Sequence, residues 1–289
     1  MARITFPYEG FGDAVIPDEN LLAVLAPRTA EIAPGGDLEE VKRALREPIG
    51  TPRLKDMVGE GDSALILIDD NTRTTPTARL LPLLLEELAS GGIPADRTAV
   101  LIALGTHRFM NEAEVETKVG KELLQKIRVF QHDAHDEGSL ANLGTTEHGT
   151  EVWINRLLLE YDHVIALGHI TPHRVAGFSG GAKIVQPGVS GVVTTGQTHW
   201  VSALYDGAEI IGTIDNPVRR EMNAVAKKAR LSFIMNVVLD REERIYRCVC
   251  GDPEKAHVAG CEASREIYGI PFSEYADIVV TDTFPADSE

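Results

Sequence analysis

Two short apolar runs, ALILI at 64–68 and AVLIAL at 99–104, set the strongest limit on what this chain can fold into. Each is too short for an ordinary helix and is apolar on both faces, so each reads as a strand buried on both sides. A helical pattern follows the first from about Thr77 to Ala89, with Pro82 expected to kink or delay it. After the second, Asn111 is placed to cap a helix through EAEVETKVG. Strand, loop, helix and strand in that order are the pattern of a parallel sheet with helices on its faces.

The same grammar extends along the chain. Arg3 to Phe6 reads as a short strand, followed by a turn through Glu9 to Asp13, and Asp37 is expected to cap a helix whose Leu38, Val41 and Leu45 fall at helical spacing. VIAL at 164–167 is a third buried strand; Arg128–Gln131 and Val152–Ile154 are weaker ones. The stretch HDAHDEGSLANLGTTEHGT reads as a solvated polar loop, its histidines His132, His135 and His148 included. Further on, Asn216 caps a helix with Pro217 in its first turn, SFIMNVVLD and RIYRCVCGD are strands, a helix runs from about Pro253 to Tyr268, and ADIVVTD is a last buried strand. The fold class is α/β, a Rossmann-like, mostly parallel sheet flanked by helices. Residues 1–268 are expected to form one α/β domain and 269–289 the start of a second, cut short.

Composition narrows the functions. With 44 acidic against 28 basic residues the formal charge is −16, which disfavours general attraction to nucleic acid or to an anionic membrane. A local basic pocket for one small anion remains compatible with it. Three cysteines, Cys248, Cys250 and Cys261, are too few for a disulfide scaffold, and Cys-x-Cys lacks the second pair of a structural zinc site. The N-terminus has no basic start followed by a long apolar run, and no apolar run reaches the ~18 residues of a membrane span. The expected location is the cytoplasm.

In open α/β sheets ligands bind beyond the carboxyl ends of the parallel strands. Asp69, Asp70, Asn71, Thr72 and Arg73 follow the first strand, Thr106, His107 and Arg108 the second, and His169 and His173 the third; Asp282 follows the expected last strand. Arg73 and Arg108 each offer a planar fork for carboxylate or phosphate, and Thr72, Thr74 and Thr75 add hydroxyls before a helix start. Read blandly, DDNTRTTPT is only a capped helix with surface ion pairs. His107 and His173, on different strand ends, suit an acid and a base on opposite sides of a substrate carbon or hydroxyl. Between Gly168 and Gly196 lies a glycine-dense loop holding Lys183 in FSGGAKIVQPG, which lacks the spacing of a phosphate-binding P-loop. Lys183 there can hold a phosphate, form a covalent adduct or pair with an acid, and His199 in QTHW can be a metal ligand, a stacking contact or a core residue.

DDNTRTTP, GTHR, GHITPHRVAGFSGGAKIVQPG and TTGQTHW, in that order, resemble the signature segments of the nickel-pincer lactate racemase family. The resemblance runs in motif from about Asp69 to Trp200; Thr74 replaces the proline that commonly follows the family's arginine. It implies two α/β domains with a cleft between them and racemisation or epimerisation of a 2-hydroxy acid, lactate by default. It implies hydride transfer to and from a pyridinium-derived nickel-pincer nucleotide, a thioamide/thiocarboxylate mononucleotide carrying Ni(II), tethered through Lys183. By the same resemblance His199 ligates nickel, His107 and His173 are the acid/base pair, and Arg73 with Arg108 binds substrate. Cofactor contacts are expected from Asp70, Thr72, Arg73, Gly180 and Gly181 beside Lys183. The partners implied are the small hydroxy acid and the enzymes that make the cofactor. Family members carry a glutamine and a lysine just past residue 289, so a chain ending there is expected to bind cofactor weakly and turn over poorly. Two other classes stay open: a binding module that needs Lys183 but not His107, and a metal-dependent hydrolase using the histidines with Asp69 or Asp70.

Overall fold

The structure, a computed structural model, describes residues 1–281 except 7 and 9. Its main elements in chain order are α1 (Asp37–Arg46), β1 (Ala64–Asp69), α2 (Thr77–Ser90), β2 (Thr98–Ala103), α3 (Glu112–Val119) and β3 (Arg128–Gln131). They continue as β4 (His163–His169), α4 (Val192–Ser202), α5 (Pro217–Lys228), β5 (Leu231–Leu239), β6 (Ile245–Gly251) and α6 (Lys255–Tyr268). The six strands form one sheet in the order β6-β5-β4-β1-β2-β3, parallel throughout except for β6, which pairs antiparallel with β5. This is the expected α/β class.

Period-two alternation in the strands builds two cores. Leu65, Leu67, Val164 and Ala166 point to one face, where Met222 and Val225 of α5 and Cys261 of α6 cover them. Ile66, Ile68, Ile165 and Leu167 point to the other, against Val41 of α1, Leu80 and Leu84 of α2 and Val119 of α3. Strands buried on both faces need no polar alternation, which is why they read as unbroken apolar runs.

Several elements differ from the sequence expectation. Helix α2 runs through Pro82 without interruption. Asp37 is the first helical residue of α1, after Gly36 as cap, and its carboxylate pairs with Arg79 on α2 at 2.7 Å. Residues 140–145, inside the stretch read as a loop, form a strand antiparallel to Glu151–Asn155. His132 of the same stretch is fully buried: its Nε2 bonds the Ser190 carbonyl at 3.0 Å and its Nδ1 lies 3.2 Å from the Asn155 amide. His135 is exposed, as a solvated loop residue would be. Residues 276–281 are not a buried strand, since among the described residues they join no sheet and Ile278 and Val279 are about four-fifths exposed. Asp282 lies outside the described residues, as does Glu9 of the expected turn. The three cysteines are free and buried. Among the described residues no helix is long and apolar enough to cross a membrane.

What positions the site is the order of the sheet. The chain adds β2 and β3 on one side of β1, then returns to add β4 and β5 on the other. Loops leaving β1 and β4 therefore diverge and open a crevice at the carboxyl edge. Ile66 lies at the centre of this arrangement, fully buried. Ile66→Ala is expected to lower the unfolding free energy by about 2–5 kcal/mol in a urea titration.

Candidate active site

A cavity of about 360 Å³ fills that crevice. Its walls come from the loop after β1 (Asp69, Asp70, Arg73), the loop after β2 (Thr106, His107), the β4 end and its loop (His169, His173, Gly180, Lys183) and α4 (His199). Most of the residues singled out in the sequence thus meet in one space. Among the described residues Asn71, Thr72, Thr74, Thr75, Gly181 and Arg108 do not line it. Thr72 is buried behind Asp70, donating its amide at 3.1 Å and its hydroxyl at 2.5 Å to Asp70 Oδ1. Gly181 lies just behind Gly180. Arg108 is not brought to the cavity, because its guanidinium forms a two-pronged ion pair with Glu114 at 2.7 and 2.9 Å. Glu114 is held there because it closes the capping box of α3 with Asn111.

The hydrogen bonds assign the imidazole protons. Asp70 is buried, yet hydrogen bonds from His107 and Thr72 outweigh the cost of burial and hold its carboxyl below the usual range. An ionised carboxylate only accepts, so His107 Nδ1, 2.6 Å from Asp70 Oδ2, carries the proton and Nε2 keeps a lone pair. His199 Nδ1 lies 2.8 Å from the Thr195 carbonyl, which also only accepts, so its Nε2 is bare as a metal ligand requires. His173 is the reverse case. Its Nδ1 accepts from the amides of Val175 at 3.1 Å and Ala176 at 3.3 Å, so the neutral ring carries its proton on Nε2.

Below the cavity floor a second carboxylate network supports the first. Asp69 lies 2.6 Å from Lys118 Nζ and accepts the Thr75 hydroxyl, which in turn accepts from His169 Nδ1 at 2.7 Å. Burial opposes the Asp69 charge, but Lys118 and His169 outweigh it and hold the carboxyl far below its usual range. Sequence reading missed Lys118, although a lysine turned inward beside Val119 on α3 breaks the expected polar face. It also missed Asn236, the one polar residue in the apolar centre of β5, which accepts the Gly181 amide at 2.8 Å.

The loop needs its glycines. Gly180 has φ 72° and a Cβ there would lie 2.8 Å from Asn236 Oδ1; Gly181 has φ 56° and its Cβ would strike the His257 ring at 2.7 Å. Both conformations are left-handed and both approaches are too close for a side chain.

Lys183 stands in this enclosure. Burial, then Arg73 and Arg219, lower its ammonium to about 7. Burial, then Lys183, Arg73, Arg219 and His199, push His173 down to about 2. Burial also lowers His199, helped by Lys183 and Arg174, against the Thr195 hydrogen bond. These shifts share a meaning: the cavity is short of negative charge and suits an anion. A hollow of about 590 Å³ at the start of α2 differs, since three of its charged side chains are already paired, Arg79 with Asp37, Glu114 with Arg108 and Lys118 with Asp69, and the fourth, Arg73, also lines the first cavity.

The lactate racemase N-terminal domain describes residues 9–212, most of the chain and every wall of the cavity except Asn236. This chain belongs to the lactate racemase family. It is 36% identical to the lactate racemase of Thermoanaerobacterium thermosaccharolyticum over 99% of its own length and 68% of that protein's. To the lactate racemase of Lactiplantibacillus plantarum it is 31% identical, over 94% of this chain and 64% of that one. The apoprotein structure of the Thermoanaerobacterium enzyme superposes with a TM-score of 0.78, covering 92% of this chain and 63% of the other. A Thermotoga maritima protein, 28% identical, matches with a TM-score of 0.66 over 79% of this chain and 59% of its own. The chain thus spans about two thirds of the length of the two lactate racemases, which are isomerases.

The buried neutral histidines make stability depend on pH. His257 is lowered to about 3, chiefly by burial and then by Arg219, from an ordinary 6.5. The unfolded chain therefore takes up the proton first; the contribution is complete above about pH 6.5 and is lost as pH falls toward 3. Between about pH 6 and pH 4 the unfolding free energy of the wild type should fall more steeply than that of His257→Asn, by about 1.4 kcal/mol per pH unit. Urea titrations across that range measure the difference.

Proposed function

We propose that this chain is the cofactor-holding and acid/base part of a 2-hydroxy-acid racemase, with lactate as the default substrate, working with a nickel-pincer nucleotide on Lys183. The observation that carries the reading is the meeting of the Lys183 amine, the bare Nε2 of His199 and two histidines of opposite proton placement in one cavity. The residues fit the group. Its volume of about 360 Å³ lies in the range for small-molecule sites, roughly 300–1,000 Å³. Lys183 would carry the tether, His199 would give one imidazole to nickel, and Arg73 with the Gly180 backbone would approach the phosphate. Among the described residues no three His, Cys, Asp or Glu side chains cluster to hold a metal by themselves, so a metal brought by a ligand suits this donor set better than a hydrolase centre. When bound, the nucleotide supplies a carbon that accepts the substrate's α-hydrogen as hydride and returns it.

The chain's own part is to bind the carboxylate and move the hydroxyl proton. His107 Nε2 takes that proton, and Asp70 across the ring stabilises the imidazolium formed. Arg73 lines the cavity with its guanidinium tethered, among the described residues, to Thr72, through the carbonyl at 3.0 Å and the hydroxyl at 2.9 Å, and can pair the carboxylate. His173 donates from Nε2 to a substrate oxygen. An anionic substrate beside it offsets the positive charge that keeps this ring neutral, which raises its proton affinity toward a matching acid/base role. Arg108 has no part in this scheme while it holds Glu114.

Cofactor-synthesising enzymes are the partners this reading requires, and the cytoplasm is where we place it. The exposed apolar run Ile278, Val279 and Val280 after α6 supports residues from 269 onward as the opening of a second α/β domain.

Co-expression with the nucleotide's biosynthetic enzymes tests the tether. Intact-mass and metal analysis should show a nickel-bearing adduct of nucleotide size on the wild type and none on Lys183→Ala. A folded wild-type protein without adduct would refute it. His107→Gln should keep the adduct and lose about 10²–10⁴-fold in racemisation rate, measured by polarimetry or chiral chromatography.

A further inference from the structure

Helix α5 sends one side chain into the protein under the loop that bears Lys183. Arg219 is only 3% exposed, and among the described residues no carboxylate pairs with it. Its guanidinium donates instead to three backbone carbonyls of one loop: Gly180 at 3.2 Å, Ala176 at 3.4 Å and Phe178. The carbonyl of Ser179 between them accepts from His257 Nε2 at 2.9 Å. The Gly180 oxygen that Arg219 grips also accepts the Lys183 amide at 3.2 Å, so this cation anchors the first turn of the segment bearing Lys183. A charge is costly to bury without a counterion, and carbonyl dipoles compensate it only in part. Packing alone would be served by a methionine at this place on the apolar stripe of α5, beside Met222. The charge therefore calls for a role.

We propose that Arg219 is a positioning residue for the Lys183 amine: it fixes the 176–180 loop through its carbonyls, and its uncompensated charge disfavours a second positive charge on Lys183. A primary amine attacks an electrophile only when unprotonated, so this arrangement supplies a nucleophilic lysine near neutral pH. The groups facing Lys183 come from every wall. Arg73, His173 and His199 stand on the positive or neutral side, and Asp69 and Asp70 oppose them from the end of β1. The two carboxylates are already committed to Lys118 and His107, which leaves the balance to the two arginines. Burial lowers Arg219 itself only to about 10, so it remains charged at neutral pH.

The purpose assigned here rests on Lys183 being the tether, but the test does not. Acetic anhydride labelling of the purified chain, followed by peptide mass spectrometry, gives the reactivity of Lys183 as a function of pH; the midpoint does not depend on reagent access. The wild type should titrate near 7. Arg219→Gln should move the midpoint upward, and the first unit of rise cuts the reactive fraction at pH 7 roughly fivefold. Arg219→Lys, which keeps the charge but not the fork, should titrate as the wild type does. A folded Arg219→Gln protein with the wild-type midpoint overturns the proposal. Should the glutamine variant not fold, a raised midpoint in folded Arg219→Lys overturns it equally, because the charge is retained there. A missing nucleotide adduct with the labelling pattern as expected would count against the tether and leave the role of Arg219 standing.

Discussion

Two adjacent carboxylates held ionised at the end of β1 are what the rest of the site depends on. Asp69 keeps its charge through Lys118 and the Thr75–His169 relay, and Asp70 through His107 and Thr72. Each is buried, and a buried charge persists only when its partners outweigh the lost hydration. Their partners come from α3, from the loop after β2 and from the end of β4, so ionisation and tertiary assembly are the same event. Once Asp70 is charged, the proton position on His107 follows.

The remaining charges have the opposite sign. A protein with a formal charge of −16 concentrates Arg73, Arg174, Lys183 and buried Arg219 around one small cavity. Such a cavity draws a small anion inward while the outer surface repels large polyanions. It also explains why the imidazoles near Lys183 are neutral: desolvation and positive neighbours act in the same direction on a base. His107, His173 and His199 then differ by what their Nδ1 meets. The Nδ1 proton faces a carboxylate on His107 and a carbonyl on His199, while backbone amides put the proton on Nε2 of His173.

Rigidity in the glycine-rich crossover comes from its underside. Arg219, His257 and Asn236 hold the backbone of 176–181 from α5, α6 and β5. On the α4 side, fully buried Gln186 donates to the Thr198 hydroxyl, next to His199. A glycine-dense loop is thus fastened at successive carbonyls and amides.

The sequence by itself determined the sheet and where its chemistry would lie. Unbroken apolar runs such as 64–68 and 99–104 allow only doubly buried strands, Asn111 and Asn216 cap where they were expected to, and the residues after β1, β2 and β4 carry most of the cavity wall. Those signals are local, set by a few neighbouring residues and the period of the backbone. Tertiary structure alone decided the partners: Arg108 turned to Glu114, His132 buried against Ser190, residues 140–145 drawn into a hairpin, and 276–281 kept out of the sheet in spite of their strand-like pattern. It also decided that Lys118 and Arg219, ordinary helix cations in sequence, point inward. Ionisation and proton placement depend on desolvation and on groups distant in the chain, and neither is encoded in local spacing.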